Sequence, residues 1–130
     1  MYGNKDCPNC KVCLIGESGV GKTSIINRYI SNTFNPEEES SNSSQYYQKK
    51  ISLKDLRSLN LDIWDTAGKE KFRSLTRIFY KDAPVLILVY DISRRASFEE
   101  LKNYWIPNIK VNATPNASKF IFIKKCLLIN

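Results

Sequence analysis

Apolar and polar positions divide the 130-residue chain into alternating strand-like and helix-like segments. Lys11 to Ile15 (KVCLI) is short, apolar and stopped by Gly16, the pattern of a buried strand. From Thr23 to Ile30, the residues Ile25, Ile26, Tyr29 and Ile30 recur at helical spacing, so a helix starts directly behind a glycine-rich turn. Asn35 to Ser44 is acidic, serine-rich and without period, which reads as a surface loop. Tyr47, Lys49, Ile51 and Leu53, then Leu59, Leu61 and Ile63, alternate on either side of residues 54–58. That pattern predicts an antiparallel pair of strands with one buried face. Ala83 to Tyr90 is apolar throughout, as a central strand covered on both faces should be. Ser97 opens another helix, with Glu99 and Glu100 in its first turn and Phe98, Leu101 and Trp105 on one side; Pro107 interrupts its end. Phe120 to Ile123 reads as one more strand, and no internal repeat is visible. Strands alternating with helices predict an α/β fold of three layers.

Composition narrows the class. An apolar content of 42% and a charged content of 25% are ordinary for a globular domain, and the length allows one domain. No apolar run reaches the roughly 18 residues of a membrane span, and the first residues do not open a signal peptide, so a cytosolic protein is expected. The net charge of +7 is uneven: residues 1–45 carry four basic and five acidic side chains, residues 46–130 sixteen and eight. No basic run is interleaved with aromatics, which argues against a nucleic-acid binder and for a surface suited to an anionic ligand. Cys7, Cys10 and Cys13 have a spacing that invites zinc or an iron–sulfur cluster. There is no histidine, Cys126 is remote, and Cys13 sits inside an apolar run, so ordinary reduced cysteines are the favoured reading.

The chemistry lies in Gly16-Glu17-Ser18-Gly19-Val20-Gly21-Lys22-Thr23, a GxxxxGK[ST] pattern joining a strand to a helix. Gly16, Gly19 and Gly21 let the backbone bend so that several N–H groups converge on one anion. The helix behind them adds its positive dipole end. Lys22 supplies a cation to the outer phosphates, and the Thr23 hydroxyl can ligate the magnesium that accompanies them. Asp65 follows the strand Leu59–Trp64, at the carboxyl end where open α/β sheets bind ligands, and can hold a magnesium-bound water.

Three stretches, KVCLIGESGVGKTSIINRYISNTF, LDIWDTAGKEKFRSLTRIFYKDA and LILVYDISRRASFEELKNYW, closely resemble the Rab branch of the Ras-like small GTPases. The resemblance runs from about Lys11 to Ile109 and implies a P-loop NTPase fold with a mixed, mostly parallel sheet, incomplete at its C-terminal end. It divides the chain into an N-terminal extension (1–10), a partial small GTPase domain (11–118) and a divergent tail (119–130). It implies a switch that binds GTP or GDP with Mg2+, recruits effectors and regulators through its switch loops, hydrolyses GTP and serves vesicle traffic. Carried over by position, Ser18, Gly19, Val20, Gly21, Lys22, Thr23 and Ser24 wrap the phosphates, with Thr23 on the metal. Phe34 resembles the aromatic flanking the guanine base, the alternative being an apolar anchor at the end of the first helix. Asp65 resembles the metal-linked aspartate, and Gly68 the glycine whose N–H meets the γ-phosphate.

The pattern breaks in three places. After Asp-Thr-Ala-Gly the family has glutamine and this chain has Lys69, which has donors and no acceptor to orient the attacking water. With Lys22 and Lys69 as the catalytic candidates, slow hydrolysis is expected. The first switch loop lacks the family threonine; Ser41 or Asn42 takes its place, and Ser41 keeps a hydroxyl for the metal. The three glutamates Glu37, Glu38 and Glu39 read as solvated loop charge. Residues 124–130 carry no Asn-Lys-x-Asp motif, and Cys126 is followed by four residues rather than the three of a prenylation signal. Association with endomembranes therefore rests on the resemblance and a longer, lipidated form. A nucleotide-gated adaptor that scarcely hydrolyses, a nucleotide kinase built on the same cradle, and an incomplete product that does not fold stably are the competing readings. The kinase is disfavoured, because WDTAG is foreign to that class and no lid is evident.

Overall fold

The computed structural model describes residues 7–37, 44–67 and 73–124. Its elements are β1 (Asn9–Ile15), α1 (Lys22–Ser31), β2 (Gln45–Ser52), β3 (Ser58–Asp65), α2 (Arg73–Tyr80), β4 (Val85–Asp91), α3 (Arg95–Glu100), α4 (Ile106–Asn112) and β5 (Ser118–Lys124). A π-helical turn, Leu101–Trp105, joins α3 to α4. Among the described residues the sheet has five strands in the order β2-β3-β1-β4-β5. β1 lies parallel to β3 and β4, β5 parallel to β4, and β2 antiparallel to β3, so the sheet is mixed and mostly parallel, as expected.

Alternation along the central strands sorts two cores onto the two faces of the sheet. Val12, Leu14, Ile63 and Val89 pack with Ile26 and Val20 under α1. Cys13, Ile15, Leu86 and Leu88 face the other way, against Tyr80, Leu101, Trp105 and Ile109. These are the three expected layers. β2 and β3 form the expected hairpin: Tyr47, Lys49 and Ile51 are half-buried, while Tyr46, Gln48 and Lys50 between them are exposed.

The helix expected to open at Ser97 differs from the expectation. It starts at Arg95, and Ser97 is buried, accepting the Asp91 N–H at 3.0 Å and donating to the Arg94 carbonyl at 2.8 Å. No acid lies in the first turn of α3; Glu99 and Glu100 fall at its end. Phe98 is not on the buried side with Leu101 and Trp105 but is 43% exposed, tilted against Tyr90 at 5.2 Å. Pro107 does not end the helix. Proline lacks an N–H, and the chain widens into the π turn just before it, with the Ile106 N–H reaching the Leu101 carbonyl. Pro107 then sits near the start of α4, which runs on to Asn112.

Cys13 is fully buried, its thiol donating to the Phe79 carbonyl at 3.1 Å. Cys10 packs on the opposite face of the sheet, so it and Cys13 cannot converge on one ion. No helix of the described residues is long and apolar enough to cross a membrane.

Candidate functional site

The site lies at the carboxyl ends of β1 and β3, where the glycine-rich loop turns into α1. Gly16 must be glycine: a Cβ there would stand 2.2 Å from the Val89 carbonyl oxygen, because the loop leaves the sheet in contact with β4. Gly19 and Gly21 have φ of 76° and 101°, the left-handed region that an L side chain enters only at a cost. Gly21 is also the N-cap of α1. No side chain caps that helix and its first turn holds no acid, so its N–H groups and dipole face the loop without a neutralising carboxylate on the helix itself.

Lys22 opens α1 and is folded back over the loop. Its side chain is buried, and Nζ donates to the Gly16 and Glu17 carbonyls, each at 2.9 Å. Burial lowers its pKa from 10.5 to about 8, against the raising influence of Asp65 and Glu17; Arg94 adds to the lowering. The loop thus closes around one ammonium, with the Gly16 and Glu17 carbonyls turned in toward it and the positive charge held near the helix mouth. Thr23 is the next residue, and its hydroxyl donates to Asp65 Oδ2 at 2.5 Å. Asp65 is buried at the end of β3, and Thr66 beside it ties β3 to β1 by donating to the Leu14 carbonyl at 2.6 Å.

Lys22, Thr23 and Asp65 are therefore brought together at the loop, with Thr23 and Asp65 as paired oxygen donors. Such a hard-oxygen pair beside an ammonium and an uncapped helix start fits a magnesium-chelated polyphosphate. The Val20 side chain is fully buried in the core under α1, so its contribution to an anion is limited to the backbone. Ser24 stands half-buried in the first turn of α1. Phe34 is 52% exposed, beyond the left-handed Asn32 cap. Ser41, Gly68 and Lys69 lie outside the described residues, as do Asn42, Glu38, Glu39 and residues 125–130.

Two arginines near the loop were not legible as site residues. Arg94 donates to the Ser18 carbonyl at 2.9 Å, and Arg73 donates to Glu17 Oε2 at 3.2 Å. Their partners stand 76 and 56 positions away, and no local pattern carries such a distance.

Comparison with known proteins agrees with this geometry. The Ras family model matches residues 11–129, past the Ile109 limit of the visible resemblance and into the segment expected to diverge. The chain is 41% identical over 116 residues to Ras-related protein Rab-8A of Gallus gallus. It is 40% identical over 116 residues to Ras-related protein Rab-8B of Homo sapiens. Each alignment covers 89% of this chain and 55% of the relative, so the chain spans about half the length of the curated relatives it matches. With the phosphate-loop geometry, the sheet order and these matches together, the chain belongs to the Ras family, as a Rab-like member.

Proposed function

We propose that the chain is a GTP-binding switch of Rab type that serves vesicle traffic, with hydrolysis slowed by Lys69. The observation that carries the binding half is the Lys22 ammonium, buried on two loop carbonyls and adjacent to the Thr23–Asp65 pair. The N–H groups of residues 18–24 and the Lys22 ammonium hold the phosphates, and Thr23 and Asp65 serve the magnesium, with Ser41 its further ligand. Magnesium held there would supply positive charge to offset that of the phosphates. Phe34, exposed beside the end of α1, flanks the base. Gly68 contributes its N–H to the γ-phosphate.

Slow hydrolysis follows from the chemistry of one side chain. A water attacking the γ-phosphate is oriented by a group that both accepts and donates, and an ammonium only donates. Lys69 can still place charge near the phosphate, but as a point charge without a planar fork. Effectors and regulators would read the switch loops, as the family resemblance implies.

Binding of GDP, GTP and ATP with and without magnesium tests the first half. Guanine-selective, magnesium-dependent binding is expected, and failure to bind any of the three refutes the reading. Single-turnover hydrolysis by the wild type and by Lys69→Gln tests the second half. The glutamine variant should be faster, and equal rates would refute the role given to Lys69. An adaptor that binds but does not turn over gives binding with no hydrolysis in the wild type.

A further inference from the structure

Arg73, the first residue of α2, is the meeting point of three elements. Its Nη2 donates to Glu17 Oε2 at 3.2 Å and lies 2.6 Å from Glu100 Oε2 at the end of α3, the latter an ion pair off the hydrogen-bond axis. Its guanidinium carbon stands 4.7 Å from the centre of the Tyr104 ring in the π turn. Only 15% of the Arg73 side chain is exposed, against 22% for Glu17 and 35% for Glu100, so the cluster is partly shielded from solvent. The other Glu17 oxygen, Oε1, accepts the Ser18 N–H at 3.3 Å, and the Glu17 carbonyl accepts from Lys22 Nζ at 2.9 Å. Glu17 therefore connects Arg73 with the Lys22 ammonium.

We propose that Arg73 is a positioning residue for the phosphate grip: by holding Glu17 against Glu100 and Tyr104, it sets the turn of the loop on which the Lys22 ammonium rests. This deepens the nucleotide-binding reading and rests on it. A planar guanidinium can serve two carboxylates while stacking on an aromatic face, whereas a lysine at the same position offers a compact charge to one. Removing the guanidinium leaves Glu17 and Glu100 as like charges around one partly buried point. The cost is the uncompensated charge more than the lost contact. Glu17 is the mobile partner, because it sits in a loop while Glu100 sits in a helix, so the strain falls on the phosphate loop.

Release of a fluorescent GDP analogue from the magnesium-loaded full chain tests this, with melting temperatures measured alongside. Arg73→Met should speed release about tenfold, and Glu17→Gln about threefold, the scale of couplings within one ionic network. The double variant Arg73→Met/Glu17→Gln should release more slowly than Arg73→Met alone, since neutralising Glu17 removes the repulsion. Arg73→Lys should fall between wild type and Arg73→Met. A role confined to packing on Tyr104 predicts no such recovery, so a double variant as fast as or faster than Arg73→Met overturns the proposal. Should Arg73→Met fail to fold, unchanged release in both Glu17→Gln and Arg73→Lys overturns it, and faster release in both supports it. A wild type that retains the analogue while every variant matches it defeats this inference alone. A wild type that binds no guanine nucleotide defeats the nucleotide reading as well.

Discussion

The Thr23 hydroxyl and the Asp65 carboxylate meet across 42 residues of sequence, joining the mouth of α1 to the end of β3. Both groups are hard oxygen donors, and neither element alone could present the pair. Asp65→Ala should therefore abolish the magnesium dependence of nucleotide retention: release measured in magnesium should equal release measured in chelator. Thr23→Ser, which keeps the hydroxyl, should behave within about twofold of wild type, whereas Thr23→Val should follow Asp65→Ala. Dissociation rates of a fluorescent GDP analogue with and without chelator check this. Preserved magnesium sensitivity in Asp65→Ala would remove Asp65 from the metal site.

Gly16→Ala makes a prediction about stability. The new methyl would stand 2.2 Å from the Val89 carbonyl oxygen and 3.3 Å from Val20 Cγ2. The first neighbour is backbone of the buried strand β4 and cannot turn aside as a side chain would. The loop must lift, at a cost of about 3 kcal/mol or more, in the range of overpacked cores and strained backbone. Urea unfolding of the two proteins measures this; a loss below about 1 kcal/mol would show that the loop shifts freely. Nucleotide retention should fall with it, because one of the two carbonyls that accept from Lys22 belongs to Gly16.

Much of the fold was legible because the sequence punctuates it. Gly16 stops an apolar run at the point where β1 ends, and the alternation of residues 47–63 matches the pleat of β2 and β3. Part of the glycine-rich loop was legible for a local reason: Gly19 and Gly21 hold a left-handed conformation that glycine enters at little cost. α2 is the counterexample. Leu75 and Ile78 are 52% and 68% exposed while Thr76 and Tyr80 are buried, so its aliphatic positions face outward and a threonine shares its inner face with Phe79 and Tyr80. Phe98 misleads in the same way, an aromatic at helical spacing that covers Tyr90 at the surface instead of entering the core. Pro107 signals an ending that the π turn circumvents. The contacts of Arg73 and Arg94 belong to tertiary structure, and no window of sequence holds both partners.

The buried thiol of Cys13 gives a pH dependence of definite sign. Burial raises its pKa from 9.0 to about 12, with Lys11 lowering and Asp82 raising it to smaller degrees. The folded state therefore keeps a proton that the unfolded chain gives up. Its contribution is complete below about pH 9 and is lost as the pH rises toward about 12. Between pH 8 and 10.5 the wild type should lose about 1 to 2 kcal/mol more stability than Cys13→Ala, read from urea unfolding at both pH values. Equal losses would show that Cys13 ionises normally in the fold. In the native protein at pH 8, mass spectrometry should find Cys13 unmodified by iodoacetamide while the half-buried Cys7 and Cys10 react.

The hairpin between β2 and β3 offers a stabilising substitution. Leu56 has φ of 67° and is 95% exposed, so a bulky L residue holds a left-handed conformation with nothing packed on it. The turn closes by hydrogen bonds from the Leu53 N–H to the Arg57 carbonyl at 2.7 Å and from the Leu56 N–H to the Leu53 carbonyl at 3.1 Å. Only the conformation is needed there, not the side chain. The left-handed region costs a residue with a Cβ about 1 to 2 kcal/mol, which glycine escapes at the expense of a more flexible unfolded chain. Asparagine tolerates the region without that entropy cost. Leu56→Gly and Leu56→Asn should each raise stability by about 0.5 to 1 kcal/mol, a few degrees in melting temperature for a domain of this size. Nucleotide retention should not change, because the turn is remote from the phosphate loop. A lowered melting temperature in both variants would mean that the turn relaxes to another conformation in solution, or that Leu56 is covered there.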